Sequence, residues 1–534
     1  MRKEINKLIF VILLIGSLFY EYYGYLKNFE VNLLFLILML FLCFCCYCDK
    51  EFRYHKCRTV FICGILFVLI FYQFLNNLSL ICYGYSVNEM TKDIFYVVMA
   101  STEGEIRAFL FNFFSLPYLK SLLLFSPFVF FYLGDSIESG FYVKGKIADL
   151  VFLSFVIASV LLFLNPKFAV NEFFYTLNSV VSSNSFDDFA ERKKNFKWNA
   201  ESSVKGKSTV VVILGESTRG NHMSLNGYTR KTTPLLEQQD LISFTNAISN
   251  GVHTLVGTPF ILTRKPLDER YIYTSYPEKS FISAYKEAGY KTYYISYEKN
   301  VVVGDSVINQ YVSEADEYIW RPSEPDHNED SNGIEIIKDI LNRSNSDKNL
   351  IVYKLAGSHV SYKDRYPMMF DVFKPSFKTI PYVNISVAKK DIMVNTYDNT
   401  ILHTDYVVSS IIDELKKCRG EAMLTFISDH GATLFEDGKS CGYSYLASQY
   451  NIPYFFWFND DCVKRLGKDK VDILSSNRHK PVDQTYFIDT LHDASGIVTS
   501  KRVGKTLFEN IDNIDDRMVI VSYKFVPYST LSDN

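Results

Sequence analysis

Three apolar runs in this chain end on residues that can do chemistry. "STVVVILGES" closes on Glu216, "NLIVYKLAGSH" on His359, and "MLTFISDHG" on Asp429 and His430. A Glu, an Asp and a His gathered at one sheet edge make a mixed oxygen and nitrogen site suited to Zn²⁺ or a similar divalent ion. Each also has a structural reading, because an acid after a strand can cap a helix and Asp-His-Gly can be a turn. Their shared position at strand ends is what favours a site.

A metal with an open position can activate a nucleophile. The stretch "ISNGVHTLVGTPFILTR" offers Thr254, between a Gly-containing turn and an apolar helical run. Placed near a helix N-terminus, Thr254 would lie beside backbone N–H groups that favour a phosphate oxygen. It would equally serve as an N-cap, and both roles can hold at once.

The elements that must position these residues follow from the pattern after residue 208. Short apolar strands take turns with helical stretches, as in "KSFISAYKEAGYKTYYISYE" and "YVVSSIIDELKKCRGEAMLTFISDHG". Alternation of this kind predicts an α/β domain with a mostly parallel central sheet, whose ligands sit beyond the carboxyl ends of the strands.

The first third is different. The hydrophobic fraction of 48% and the aromatic fraction of 16% are concentrated there. Val31 to Cys48, Thr59 to Asn77 and Leu150 to Pro166 carry no charge, and Leu8 to Leu26 is interrupted only by Glu21. With a further segment at Ser121 to Gly134, this predicts an all-α bundle of five transmembrane helices. The basic segments "MRKEINK", "CDKEFRYHKCR" and "DSIESGFYVKGK" then fall on one side, which places the N-terminus in the cytoplasm and everything after Pro166 outside. The expected domains are a transmembrane domain over 1–167, a linker with some helix over 168–208, and an outer catalytic domain over 209–534. A net charge of −3 and the absence of a basic run exclude a nucleic-acid partner. Of the ten cysteines, Cys418, Cys441 and Cys462 fall in the outer domain, so at most one bridge is expected there.

"GESTRGNHMSLNGYTRKTTPLL", "HTLVGTPFILTR", "GSHVSYKDRYP", "NTYDNTILHTDYVV" and "SDHG" occur in this order. Together they resemble the lipid A and lipopolysaccharide-core phosphoethanolamine transferases, membrane-anchored enzymes of the alkaline phosphatase and sulfatase superfamily. The resemblance implies an alkaline-phosphatase-like (sulfatase-like) catalytic domain in the periplasm, tied to the bacterial inner membrane. It implies one Zn²⁺ held by Glu216, Thr254, Asp429 and His430, with Thr254 as the nucleophile and His359 near the substrate phosphate. "ASTEGEIRAFL" loosely resembles a head-group motif of the family, with Thr102 and Glu105 at its binding positions. The implied donor is phosphatidylethanolamine and the implied acceptor lipid A or a lipopolysaccharide-core group, handled by a monomer at the membrane lipid. One departure stands out: "SDHGATLFEDGKSCGYSY" lacks the second His usual in the family, and Ala432 replaces a common Glu. His403 and His479 are the remaining imidazoles of interest. The alternatives are a phosphoglycerol transferase or phosphodiesterase of the same superfamily, or a non-catalytic lipid-binding scaffold. A sulfatase would show Cys or Ser before x-Pro-x-Arg, and "HTLVGT" does not.

Overall fold

A computed structural model describes residues 193–533, apart from 273–275, 298–306, 321–329, 381–385, 501–503, 514, 516 and 522–523. The five expected spans, Thr102 and Glu105 lie outside the described residues. Among the described residues no helix is long and apolar enough to cross a membrane.

The central sheet has seven strands: β1 (Ser208–Gly215), β2 (Leu241–Ser243), β3 (Lys291–Ser296), β4 (Glu317–Trp320), β5 (Lys348–Lys354), β6 (Glu421–Ser428) and β7 (Tyr454–Phe458). Their spatial order is β2-β7-β6-β1-β5-β3-β4. Strand β1 lies between the parallel strands β5 and β6, and all eight of its residues are buried. A strand covered on both faces must be apolar throughout, which accounts for its run of β-branched residues.

The sheet is mixed. Strand β7 runs antiparallel to both its neighbours, β2 and β6, and every other pairing is parallel. The expectation of a mostly parallel sheet therefore holds except around β7. A parallel return from β6 would need a crossover element, and the segment joining it to β7 contains only the single helical turn Ala447–Tyr450.

Period-two alternation splits the core between two faces. Val210, Val212 and Leu214 of β1 pack with Phe281 and Tyr285 of one helix and Phe487 and Leu491 of another. Val211 and Ile213 pack on the other face with Ile337, Ile340, Tyr397, Ile401 and Ile411. The helices that matter below are α1 (Thr254–Leu262), α2 (Phe281–Glu287), α3 (Asn332–Arg343), α4 (Lys390–Leu415) and α5 (Phe487–Ser495). Helices α2 and α5 cover the first face, α3 and α4 the second.

The packed domain begins earlier than residue 209. Trp198 and Ala200, in the stretch read as linker, are buried in the first core. The Trp198 indole N–H donates to Ser280 O at 3.0 Å, and the backbone N–H of Trp198 donates to Glu287 at 3.1 Å. Glu201–Ser202 also pairs with Ile497–Val498. The surrounding polar residues conceal these anchors in the sequence. Cys418, Cys441 and Cys462 are all free thiols.

Candidate metal and nucleophile site

Strands β6, β1 and β5 are adjacent, and their register aligns their ends: Gly215 lies opposite Ser428, and Leu214 opposite Lys354. The next residues along β1 and β6 are Glu216 and the Asp429-His430 pair. One ligand atom from each of Glu216, Asp429 and His430 lies within 4.8 Å of the others, and all three residues are buried.

The turn after β1 is fixed from α4. The Tyr397 hydroxyl accepts from Arg219 N at 2.9 Å and donates to Ser217 O at 2.7 Å. Between these bonds Ser217 takes a left-handed conformation, φ 52°, a strained state for a non-glycine that persists where its surroundings over-determine it. Thr218 N donates to Ser428 Oγ at 3.0 Å, linking the loop that follows β1 to the end of β6.

Thr254 is the first residue of α1, and the N-cap position belongs to His253. The simple N-cap reading of Thr254 therefore does not apply. Its hydroxyl donates instead toward Glu216, at 3.1 Å from Oε2 and 3.3 Å from Oε1, and lies 3.4 Å from His430 Nε2. The neighbouring hydroxyls are differently placed. Thr263 donates to Pro259 O at 2.8 Å, and Thr258 is buried with no hydrogen-bond partner for its oxygen among the described residues.

The approach of α1 to the β6 end depends on Gly257. A Cβ at this position would fall 2.2 Å from Asp429 O, a backbone atom that cannot swing aside. Gly257→Ala is expected to cost about 1–3 kcal/mol of overpacking and to push Thr254 away from Glu216. Thermal melts and zinc content should both fall relative to Gly206→Ala, whose added methyl meets nothing within 4 Å. A Gly257→Ala protein with unchanged melting and metal content would show that this contact does not set the spacing.

Charge is concentrated here. Lys354, the last residue of β5, is buried, and its Nζ lies 2.6 Å from Glu216 Oε2, 3.0 Å from Asp429 Oδ2 and 3.1 Å from Gly215 O. Burial opposes the charge on Glu216, but Lys354 and then His430 outweigh it and hold this carboxyl well below its ordinary range. Burial, with Glu216 adding to it, pushes Asp429 up. His430 is also opposed by burial, yet Asp429 and Glu216 prevail and raise it to about 9. Two buried carboxylates this close favour a cation between them.

The residues fit a divalent metal. They offer carboxylate oxygens, an imidazole nitrogen and a hydroxyl, a set that suits zinc. His430 Nδ1–H donates to Gly431 O at 2.7 Å, which turns Nε2 toward Glu216 Oε1 at 3.3 Å. A backbone acceptor of this kind fixes the tautomer of a metal-binding His.

His359 follows β5 and is among the groups that lower Glu216. Its loop is tied to the site through Ser358 N, which donates to Glu216 O at 2.9 Å. His403 and His479 do not join the cluster: His403 bonds Ser331 Oγ at 2.6 Å, and His479 bonds Thr245 Oγ1 at 2.9 Å. Sequence reasoning missed Lys354. The available signal was a lysine inside the apolar run "NLIVYKLAG".

The Tyr-x-Arg segment after Glu216 is an anchor. Tyr228 and Arg230 both donate to Asp398 Oδ2 on α4, at 3.0 and 2.9 Å, and His222 Nδ1 lies 2.7 Å from Asp398 Oδ1. Two turns along the helix, Asp405 accepts from Leu235 N and Leu236 N at 3.0 and 2.8 Å. These bonds tie the segment that carries Glu216 onto α4.

The sulfatase family profile matches residues 208–497, which include Glu216, Thr254, Lys354, His359, Asp429 and His430. The chain belongs to the sulfatase family. Within that family it is similar to the phosphoethanolamine transferase EptA of Escherichia coli O157:H7, 26% identical over 304 residues, 55% of this chain and 54% of that one. The chain thus spans about half the length of the curated relatives it matches. The C-terminal periplasmic domain of EptC from Escherichia coli, in complex with Zn, shares the fold: TM-score 0.54 at 24% identity, covering 63% of this chain and 97% of that domain. The integral membrane protein lipooligosaccharide phosphoethanolamine transferase A of Neisseria meningitidis also shares it, with TM-score 0.59 at 18% identity over 83% of this chain and 84% of that one. The resemblance read from the motifs is borne out, and so is an alkaline-phosphatase-like domain for this sulfatase-family chain.

Proposed function

We propose that this chain transfers phosphoethanolamine from phosphatidylethanolamine to lipid A or a lipopolysaccharide-core group, by way of a phosphoethanolamine ester on Thr254. The observation that carries this reading is the Thr254 hydroxyl at the head of α1, 3.1 Å from Glu216 and facing His430. Glu216, Asp429, His430 and Thr254 would hold Zn²⁺. When bound, zinc supplies Lewis acidity that lowers the pKa of a hydroxyl and offsets charge on phosphoryl oxygens.

The chain's own residues supply the rest. The hydrogen bond to Glu216 orients the Thr254 hydroxyl, and its place at the N-terminus of α1 puts backbone N–H groups beside the incoming phosphoryl group. Thr254 Oγ1 bonds to phosphorus as it loses its proton. The bond from phosphorus to the diacylglycerol oxygen breaks, and that oxygen takes up a proton. In the second half an acceptor hydroxyl oxygen bonds to the same phosphorus as it gives up its proton, the Thr254 ester breaks, and Thr254 Oγ1 takes up a proton. His359, on a loop tied to Glu216, is assigned to the substrate phosphate. The expected spans would keep the domain at the leaflet where both lipids reside, at the bacterial inner membrane and facing the periplasm.

Phosphoglycerol transfer is the reading to separate from this one, because a threonine serves it equally well. Purified protein with zinc, lipopolysaccharide and vesicles of mixed phosphatidylethanolamine and phosphatidylglycerol is expected to consume the former, release diacylglycerol and add phosphoethanolamine to the acceptor. Lipid mass spectrometry reads all three. Consumption of phosphatidylglycerol alone would replace this reading with its rival.

A further inference from the structure

We propose that the Lys354 ammonium is the second cation of this centre, so that the site accepts one divalent ion and no more. The inference rests on the metal-binding part of the functional reading. Its basis is that both carboxylates face two positions at once. Glu216 Oε1 lies 3.3 Å from His430 Nε2 and accepts from Ser217 Oγ at 2.9 Å, whereas Oε2 receives both Lys354 Nζ at 2.6 Å and the Thr254 hydroxyl at 3.1 Å. Asp429 Oδ1 is occupied by the N–H groups of Ser217 and His430, at 3.2 and 2.8 Å. Its Oδ2 faces Lys354 at 3.0 Å and His430 Nε2 at 3.8 Å.

Glu216 and Asp429 thus bridge two cation positions, one beside His430 and Thr254, the other filled by Lys354. Two-metal phosphoryl-transfer centres place their ions about 3.5–4 Å apart to clamp the attacking and leaving oxygens. Here one of the two places is taken by a side chain of the chain itself. Lys354 is buried at the end of a central strand and bonded to Gly215 O as well, so its position does not depend on the carboxylates alone. A second divalent ion would lie against the Lys354 ammonium, whose Nζ is 2.6 Å from Glu216 Oε2 and 3.0 Å from Asp429 Oδ2. Lys354 is therefore a positioning residue: it fixes Glu216 and Asp429 for one metal and excludes another.

The test counts metal. Full-length protein in detergent is stripped with chelator and titrated with Zn²⁺, and bound zinc per chain is measured by elemental mass spectrometry after gel filtration. The wild type is expected to saturate at about one ion per chain. Lys354→His, which exchanges the ammonium for a ligand, should rise to about two, while Lys354→Arg should stay at about one. A purely structural lysine would not change the stoichiometry. Two ions on the wild type would overturn the proposal, and this measurement needs no variant to fold. A folded Lys354→His that stays at one ion with unchanged zinc affinity would also overturn it. A wild type that binds no zinc would instead remove the metal reading on which the proposal rests.

Discussion

Mixed with phosphatidylethanolamine vesicles and no acceptor, the protein is expected to gain phosphoethanolamine on the peptide that carries Thr254. Thr254→Ala should form no such adduct and should lose transfer by on the order of 10⁴-fold or more, as enzymes do when a nucleophile is removed. Thr254→Ser keeps a hydroxyl and should retain some turnover, lowered because the oxygen is less firmly held in one rotamer. A merely structural threonine predicts a different ranking: a lower melting temperature for Thr254→Ala, with transfer preserved. The nearby hydroxyls sharpen the assignment, since Thr263 is committed to Pro259 O and Thr258 is buried. An adduct on either of them would place the reaction on another oxygen.

Removing any one of Glu216, Asp429 or His430 by alanine is expected to strip the metal and abolish transfer. The loss in zinc affinity should exceed the roughly 10–100-fold that follows loss of an outer-shell partner. The pH dependence identifies the imidazole. Without metal, His430 holds its proton up to about 9. Coordination needs the neutral ring, so below that pH each zinc that binds displaces about one proton. Zinc affinity should therefore rise roughly tenfold per pH unit toward about 9 and level off above it. Calorimetry at neutral pH in buffers of different ionisation enthalpy should detect the released proton, and His430→Ala should abolish its release. An affinity that does not change with pH in the wild type would take His430 out of the ligand set.

Much of the site could be read from sequence because β1 and β6 are buried strands. An apolar run that stops at an acid marks a strand end without any knowledge of its neighbours, and parallel pairing then brings Glu216 to Asp429 and His430. Lys354 escaped the same reading because a single charge inside an apolar run looks like part of a strand, and its purpose appears only when both carboxylates are in place. The Tyr228 and Arg230 motif had been recognisable as a pattern but not as an anchor, since its partner, Asp398, lies far along the chain on α4. The direction of β7 depends on how the segment from 429 to 453 returns to the sheet, which hydrophobic patterning does not encode. Trp198 is hidden for a related reason: Phe196 and Trp198, alone among Lys and Asn, are too few to carry a period.

The three free thiols of this domain carry a practical consequence. Burial pushes Cys462 up to about 12 and also raises Cys418 and Cys441. Thiol exchange proceeds through the thiolate, so at neutral pH all three are chemically quiet. Once the domain has folded they are poor substrates for stray oxidation and poor competitors for an alkylating reagent. Lys205 stands exposed at the start of the domain. A single cysteine introduced there would report on its own surroundings against a silent background from the rest of the described fold.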